Sequence, residues 1–311
     1  MLELSNYLHN AGLLLVLLAM VANIVAIGTR ARLRRTSNTP ELVLAGGRSG
    51  PGAAELPHDE APSESAAGGP IPLTHQRGLG WYGDRLAELA FVALTLGLVL
   101  RSVVTGHAPF ANQFEFATSF AWGILLCYIW FEWRYQIRGL ALLVLPITFG
   151  MLLYASNLSR AADPLIPALQ NSLLLTLHVF AAVVAYGAAA VSFAAAVLVL
   201  LRPRIHWRGF PTGEVLEEVG YRAVVLAFPM LTMMLILGAL WADIAWGRYW
   251  SWDPKETSAL VTWLIYGAYL HARVMAGWRG SKAAWLLVLG FAAVIFTFTG
   301  NHWFGGMHSY V

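Results

Sequence analysis

The chain has 311 residues, of which 58% are hydrophobic and only 12% are charged, and its formal net charge is +3. A soluble domain of this size carries about a quarter charged residues, so the composition excludes an ordinary soluble protein. The positive excess is spread over several segments, which argues against a nucleic-acid footprint. The single cysteine, Cys127, lies in an apolar segment, which excludes an intrachain disulfide, a CxxC pair and a thiolate metal cluster.

Eight apolar stretches are long enough, or nearly so, to cross about 30 Å of hydrocarbon as helices. They predict an all-α polytopic membrane protein with about eight transmembrane helices. We expect a first transmembrane helix in 1–28, a disordered cytoplasmic linker in 29–80 and a membrane domain of seven helices in 81–311. The stretches lie near 10–28, 86–104, 117–133, 139–155, 173–201, 223–242, 256–276 and 283–303.

The distribution of Lys and Arg predicts the orientation. Sixteen of the 20 fall in alternate connecting segments, namely 29–86, 134–138, 202–222 and 273–282. The positive-inside rule assigns those segments to the cytoplasm. Both termini and the loop between the sixth and seventh helices are therefore predicted to face outward.

Several histidines carry no functional signal. His58 and His75 lie in the linker, which is rich in Pro, Gly, Ser and Ala and cannot bury enough apolar surface to order itself. His9, before the first predicted span, and His206, on an inner loop, are likewise expected to have no fixed role. His107, in GHAPFANQFE, is interpreted as structural rather than as a ligand contact.

His178 lies six residues into the fifth predicted helix, near its outer end. A histidine within a span is costly and marks function more often than not, although it can also hydrogen-bond a neighbouring helix. The following inner loop holds EVLEEVGYR, which we interpret as a short helix along the membrane surface.

An aromatic segment, Trp241–Thr257, joins the sixth and seventh helices and reads WADIAWGRYWSWDPKET. Such residues often form an interfacial belt, but four tryptophans within twelve residues favour a flat apolar ligand. Asp253, Pro254 and Glu256 stand at the N-cap, N1 and N3 positions of a capping box. Asp253 is therefore assigned first to the helix start and second to a ligand. The four tryptophans are Trp241, Trp246, Trp250 and Trp252.

Two further histidines complete the candidate set. His271 lies seventeen residues beyond Pro254, about 26 Å along a helix, and is predicted near the cytoplasmic side, where a histidine can also snorkel. Gly305 and Gly306 are expected to end the last helix, placing His308 outside, level with the aromatic segment and His178. Imidazole ligates haem iron, so two imidazoles at one level could clamp both faces of a haem.

WGRYWSWDPKET resembles the tryptophan-rich WWD signature of the haem-handling superfamily that includes CcmC, CcmF and CcsA. Its DPKET ending is similar to the CcsA (ResC) branch of system II cytochrome c biogenesis, and the resemblance covers roughly residues 80–311. The ending GMHSY is similar to the GLHSY-like ending of the family, which favours His308 over its neighbour His302 as a ligand.

The resemblance implies specific roles. His178 and His308 would be axial iron ligands of an external haem, beside the four tryptophans and Asp253, and His271 would receive haem b, the transported substrate, from inside. A CcsB/ResB-type membrane protein would be the partner, and thiol-reducing proteins are further expected partners. The pair would act as a cytochrome c haem lyase that presents reduced haem to a CxxCH apocytochrome c at the outer face of a bacterial cytoplasmic membrane.

Two other functions remain open at the level of sequence. A haem b electron-transfer subunit would also use membrane histidines, although it usually pairs them on helices that span both leaflets. A secondary transporter would use the tryptophans only as anchors, but no repeat of the two halves is visible.

Overall fold

The computed structural model describes residues 1–36, 78–162, 172–205, 210–300, 304, 306 and 307; at 30–36 and 172 it describes the backbone only. In this part of the chain the protein is helical and has no strand. The predicted linker lies mostly outside the described residues. The helices are α1 (Leu2–Thr36), α2 (Leu79–Thr105), α3 (Gln113–Tyr135), α4 (Ala141–Ser156), α5 (Ser172–Leu201), α6 (Gly213–Trp246), α7 (Pro254–Val274) and α8 (Gly280–Thr299).

The predicted multi-pass architecture is confirmed, with one difference in the number of apolar spans. Within the described residues seven helices are long and apolar enough to cross a membrane, and α7 does not meet the same composition. Its 21 residues give a length of about 31 Å, which is sufficient to cross. Its composition falls short because charged and polar residues, including Lys255, Glu256, His271 and Arg273, take up part of its length.

Helix α5 forms the centre of the bundle and packs against α3, α6 and α8. Its middle is rich in fully buried alanines, and small residues allow membrane helices to approach closely. The closest approach is at Gly123 and Gly187, where an added Cβ on Gly187 would collide with the Gly123 carbonyl.

The run EVLEEVGYR does not form a separate surface helix. It is the beginning of α6, which continues for 34 residues to Trp246, about 51 Å and well beyond the hydrocarbon thickness. The additional length of α6 stabilises the fold, because Glu217 accepts hydrogen bonds from Arg273 at 2.8 Å and from the Gly280 backbone N–H at 3.0 Å. These bonds tie the start of α6 to the end of α7 and the start of α8.

His9 has a fixed structural position, so its assignment to a segment before the first span is wrong. Helix α1 begins at Leu2, and His9 is buried within it with 2% exposure. Its Nε2 lies 3.1 Å from Ser156 Oγ and its Nδ1 lies 3.3 Å from Thr118 Oγ1. The ring therefore joins α1 to α3 and α4.

A buried ion pair, Arg101 with Glu115, joins the end of α2 to the start of α3. Arg101 Nε donates to Glu115 Oε1 at 2.5 Å, and both side chains are only 1% exposed. Arg101 Nη2 also donates to the carbonyls of Arg160 and Ala161, at 3.1 and 2.9 Å. This arginine therefore holds three segments together.

We expect Arg101→Met to lower the free energy of unfolding by about 3–5 kcal/mol, because it leaves the Glu115 carboxylate buried without its cation. The exposed Arg222–Glu218 pair is the matched control, and Arg222→Met should leave the free energy of unfolding close to that of wild type, because solvent screens exposed ion pairs. Denaturant titration in detergent measures both. Equal effects of the two substitutions would contradict the structural role of Arg101.

Candidate functional site

A cavity opens at the end of the bundle that carries the aromatic segment. The empty space in the cavity and at its open mouth together amounts to about 1310 Å³. Parts of α3, α5, α6, α7 and α8 form its walls together with the loop before α7. The lining is mainly aromatic and aliphatic, and its aromatic residues are Phe116, Phe120, Tyr186, Trp241, Tyr249, Trp250 and Phe298.

His178 lies in the wall of this cavity and is half-buried. Its Nδ1 is 2.8 Å from the carbonyl oxygen of Met234 on α6. A carbonyl only accepts, so Nδ1 carries the proton and Nε2 is the nitrogen with the lone pair. Metal-ligating histidines typically donate their other ring N–H to such a group, which fixes the orientation of the ring.

Gly238 makes room for the His178 ring. A Cβ added at Gly238 would lie 2.7 Å from His178 Cε1 and 2.9 Å from Nδ1, which is too close for carbon and nitrogen atoms that are not bonded. Sequence reasoning did not single out Gly238 or the Met234 carbonyl. The available signal is a glycine in the middle of an apolar helix, where glycine otherwise weakens the helix.

The four tryptophans occupy different positions. Trp241, only 2% exposed, and Trp250 line the cavity. Trp246 packs edge-on against Trp241 at 4.8 Å between ring centroids. Trp252 packs edge-on against Trp250 at 5.7 Å but is 70% exposed and does not line the cavity. Two of the predicted residues therefore form the wall, and two support them from behind or outside.

Trp252 has a φ of 59°, a left-handed conformation that is unfavourable for a bulky residue. The capping box that follows it holds this conformation in place. Glu256 Oε2 accepts from the backbone N–H groups of Ser251 and Asp253 at 2.8 and 3.2 Å, so the chain on both sides of Trp252 is bonded to one carboxylate.

Asp253 performs the predicted capping role and also binds a second segment. Its Oδ1 accepts from the Lys255 backbone N–H at 2.9 Å, and the reciprocal bond from Glu256 completes the capping box. Its Oδ2 accepts from the backbone N–H of Met307 at 2.7 Å. An added Cβ on Gly306 would collide with the same oxygen. Asp253 thus fastens the start of α7 to residues 306 and 307.

Of the two other predicted ligands, the structure describes His271 but not His308. His308 and its rival His302 lie outside the described residues, as do His58, His75 and His206; Met307 directly precedes His308. His271 is exposed near the other end of α7, in a stripe with Val261, Leu264 and Ala268. It lies about 26 Å from the start of that helix, so one planar ligand cannot contact both His271 and the cavity.

Neither His107 nor a cluster of metal-binding side chains contributes to the site in the described part of the chain. His107 is half-buried, its Nδ1 lies 2.8 Å from the Ala108 carbonyl, and it does not line the cavity. No cluster of three His, Cys, Asp or Glu side chains able to hold a metal ion occurs in the part of the chain that the structure describes. The mainly aromatic and aliphatic lining of the cavity suits an apolar ligand.

Comparisons with known proteins place the chain in a family. The model of the family described as "Cytochrome C assembly protein" matches residues 110–308. The chain is 34% identical over 258 residues to the cytochrome c biogenesis protein CcsA of Guillardia theta, covering 74% of this chain and 84% of the relative. This chain belongs to the cytochrome c assembly protein family. It is a CcsA-type member, as the sequence resemblance predicted.

Other relatives support the same assignment. CcsA of Parasynechococcus marenigrum is 36% identical over 259 residues, covering 72% of this chain and 85% of the relative. CcsA of Gloeobacter violaceus is 30% identical over 302 residues, covering 77% and 88%. The solved structure of the cytochrome c haem lyase CcmF matches with a TM-score of 0.57 and 18% identity, covering 96% of this chain and 46% of CcmF. That likeness shows a shared fold. Family membership connects this CcsA-type chain with cytochrome c maturation.

Proposed function

We propose that this chain binds haem in the cavity beside the aromatic segment and presents it for covalent attachment to a CxxCH apocytochrome c. The observation that carries the proposal is the position of His178. In the neutral ring its Nε2 is the unprotonated nitrogen, its orientation is fixed by the Met234 carbonyl, and it lies in a cavity whose lining is mainly aromatic and aliphatic. His178 would be one axial ligand of the iron.

His308 would be the second axial ligand. Asp253 supports this assignment because its bond to Met307 holds the residue before His308 against the start of α7. Trp241 and Trp250 would contact the porphyrin, while Trp246, Trp252 and Asp253 would fix the wall. A bis-imidazole haem held in apolar surroundings is protected from solvent, and the protein tunes its reactivity through the ligands and the surrounding hydrogen bonds.

The attachment step needs little chemistry from this chain. Each cysteine S–H of the apocytochrome adds across one vinyl group of reduced haem b, with sulfur bonding to one carbon and hydrogen to the other. The addition changes no oxidation state overall, so the chain contributes binding and orientation. Thiol-reducing proteins would keep the two cysteines ready for the addition.

Haem would first reach the chain at His271. The second ligand there would come from a CcsB/ResB-type partner, because the exposed stripe of α7 that carries His271 leaves that side of the imidazole open to another protein. The membrane would be a bacterial cytoplasmic membrane, and the placement of sixteen of the 20 Lys and Arg residues supports an orientation with the cavity facing the periplasm. The chain would then both move haem and present it.

The proposal is tested by producing the chain with a CcsB/ResB-type partner and a CxxCH apocytochrome and measuring covalently bound haem. We expect covalent cytochrome c only when all three are present. Haem bound stably to the complex without any covalent cytochrome would instead support an electron-transfer subunit, and a haem-free complex would remove both haem functions.

Asp253→Asn should lower the amount of haem bound in the cavity, the outer site, by about 3- to 10-fold, the scale of one hydrogen bond, although Asn caps helices well. Asp253 uses both oxygens to accept backbone N–H groups, and an amide has only one acceptor oxygen. Haem per purified complex measures the effect. Gly306→Ala should have a similar effect because its Cβ displaces the same oxygen. Wild-type haem content in both variants would contradict a role for this contact.

Trp250→Ala should lower bound haem more than Trp252→Ala, because only Trp250 lines the cavity. Loss of an aromatic contact of this size lowers the binding free energy by about 1–3 kcal/mol, or roughly 5- to 150-fold in affinity. Haem titration of the purified complex compares the two variants with wild type. If both retain normal haem content but the protein fails to accumulate, the tryptophans form only an interfacial belt.

A further inference from the structure

Three polar residues interrupt the mainly apolar lining of the cavity: Gln113 in the first turn of α3, and Lys255 and Glu256 in the first turn of α7. We call them the polar corner. Lys255 is half-buried there, and its Nζ lies 5.9 Å from the centroid of the Phe116 ring. Among the described residues it forms no ion pair. A cation in such a position is costly without an anionic partner.

The nearby carboxylates are already engaged. Glu256 accepts from Ser251 and from the Asp253 backbone N–H, while Asp253 accepts from the backbone N–H groups of Lys255, Glu256 and Met307. Glu115, in the first turn of α3, is paired with Arg101. The Asp253 carboxylate is close enough to attract the Lys255 ammonium, but among the described residues none of these acids forms an ion pair with it. The ammonium can therefore bind a further anion, which the N-terminal dipole of α3 also favours.

Gln113 supplies a second donor at the same corner. The hydroxyl of Tyr154 donates to Gln113 Oε1 at 3.0 Å, which fixes the orientation of the amide. The Nε2 hydrogens have no partner among the described residues. A cation and an oriented amide N–H₂ on the same cavity wall match the two oxygens of a carboxylate.

We propose that Lys255 and Gln113 bind a propionate carboxylate of the haem and thereby select which edge of the porphyrin lies at this corner. The inference rests on the proposed function, since it names the group of that substrate which these residues recognise. The corner sits at the first turns of α3 and α7, whereas His178 lies six residues into α5. The carboxylate and the iron are thus held by different parts of the cavity.

The alternative anion is a lipid phosphate, which a lysine near the membrane surface can reach by snorkelling. The two sources differ in what the lysine does for haem. A lysine that binds lipid phosphate makes the same contribution to the affinity for haem and to the affinity for haem with esterified propionates. A lysine that binds propionate discriminates between them.

The test uses the purified complex and measures affinity for haem and for haem dimethyl ester. Wild type should prefer haem by about tenfold or more, the scale of one charge-assisted hydrogen bond. Lys255→Met should lose that preference while its affinity for the ester is unchanged, and Lys255→Arg should retain most of it. Gln113→Leu should reduce the preference by a smaller factor.

The outcomes separate this inference from the function on which it rests. If wild type binds haem and its ester equally, or if Lys255→Met weakens both equally, the carboxylate corner is overturned while haem binding stands. If wild type binds neither compound, the proposed function fails and this inference fails with it.

Discussion

His178→Ala is expected to reduce covalent cytochrome c by at least about 100-fold when the chain is produced with its partner and a CxxCH apocytochrome. Loss of a group that only orients a ligand typically costs about 10- to 100-fold, and this substitution removes the ligand itself. His308→Ala should have the same effect. Imidazole added to the cells should restore part of the product by filling the vacant coordination position. Haem staining of the separated cytochrome measures the yield.

His107→Ala is the matched control because His107 is half-buried but does not line the cavity. It should leave the yield near that of wild type. Gly238→Ala keeps the imidazole but forces it to move, because the new Cβ would lie 2.7 Å from Cε1; it should give an intermediate yield. Full maturation in both His178→Ala and His308→Ala would remove the assignment of the outer ligands.

His271→Ala is expected to empty the outer site as well, although His178 and His308 remain intact. His271 lies about 26 Å along α7 from the aromatic segment, so it cannot contact the same haem. If haem enters at His271, its loss stops supply to the cavity, and covalent cytochrome should fall to background. Haem content of the purified complex and cytochrome yield are both measured.

Leu264→Ala provides the control for His271, because it lies on the same exposed stripe of α7 without an imidazole. It should leave both readings close to wild type. If His271→Ala also leaves outer haem and cytochrome yield unchanged, haem reaches the cavity by another route. Equal loss in both variants would instead indicate that the helix face binds the partner and that the imidazole has no special part.

Local features of the fold could be predicted from the sequence because they depend on neighbouring residues. The apolar stretches located the helices, since lipid leaves the backbone few alternatives to a helix. The capping box of Asp253 and Glu256 was predictable from their spacing, and the structure confirms it. The aromatic segment also marked the end of the bundle where the cavity lies.

Features that depend on distant residues could not be predicted in this way. The contact of His178 with Met234 joins residues 56 positions apart, and periodicity carries no information about which helices become neighbours. The same limit applies to Arg101, whose carbonyl partners on Arg160 and Ala161 lie 59 and 60 positions away. The errors at His9 and at the start of α6 arose because helices continue past the apolar core when polar side chains find partners in adjacent helices.

The central claim is that His178 ligates haem iron in the cavity, and the absorption and electron paramagnetic resonance spectra of a His178→Cys complex test it most directly. Cysteine replaces imidazole by thiolate, a ligand that changes the electronic structure of the iron. The account predicts that the variant retains haem but shows a new ferric signal and a shifted absorption band, beside any unchanged signal from an inner haem. A variant whose haem content and spectra are both identical to those of wild type would contradict it.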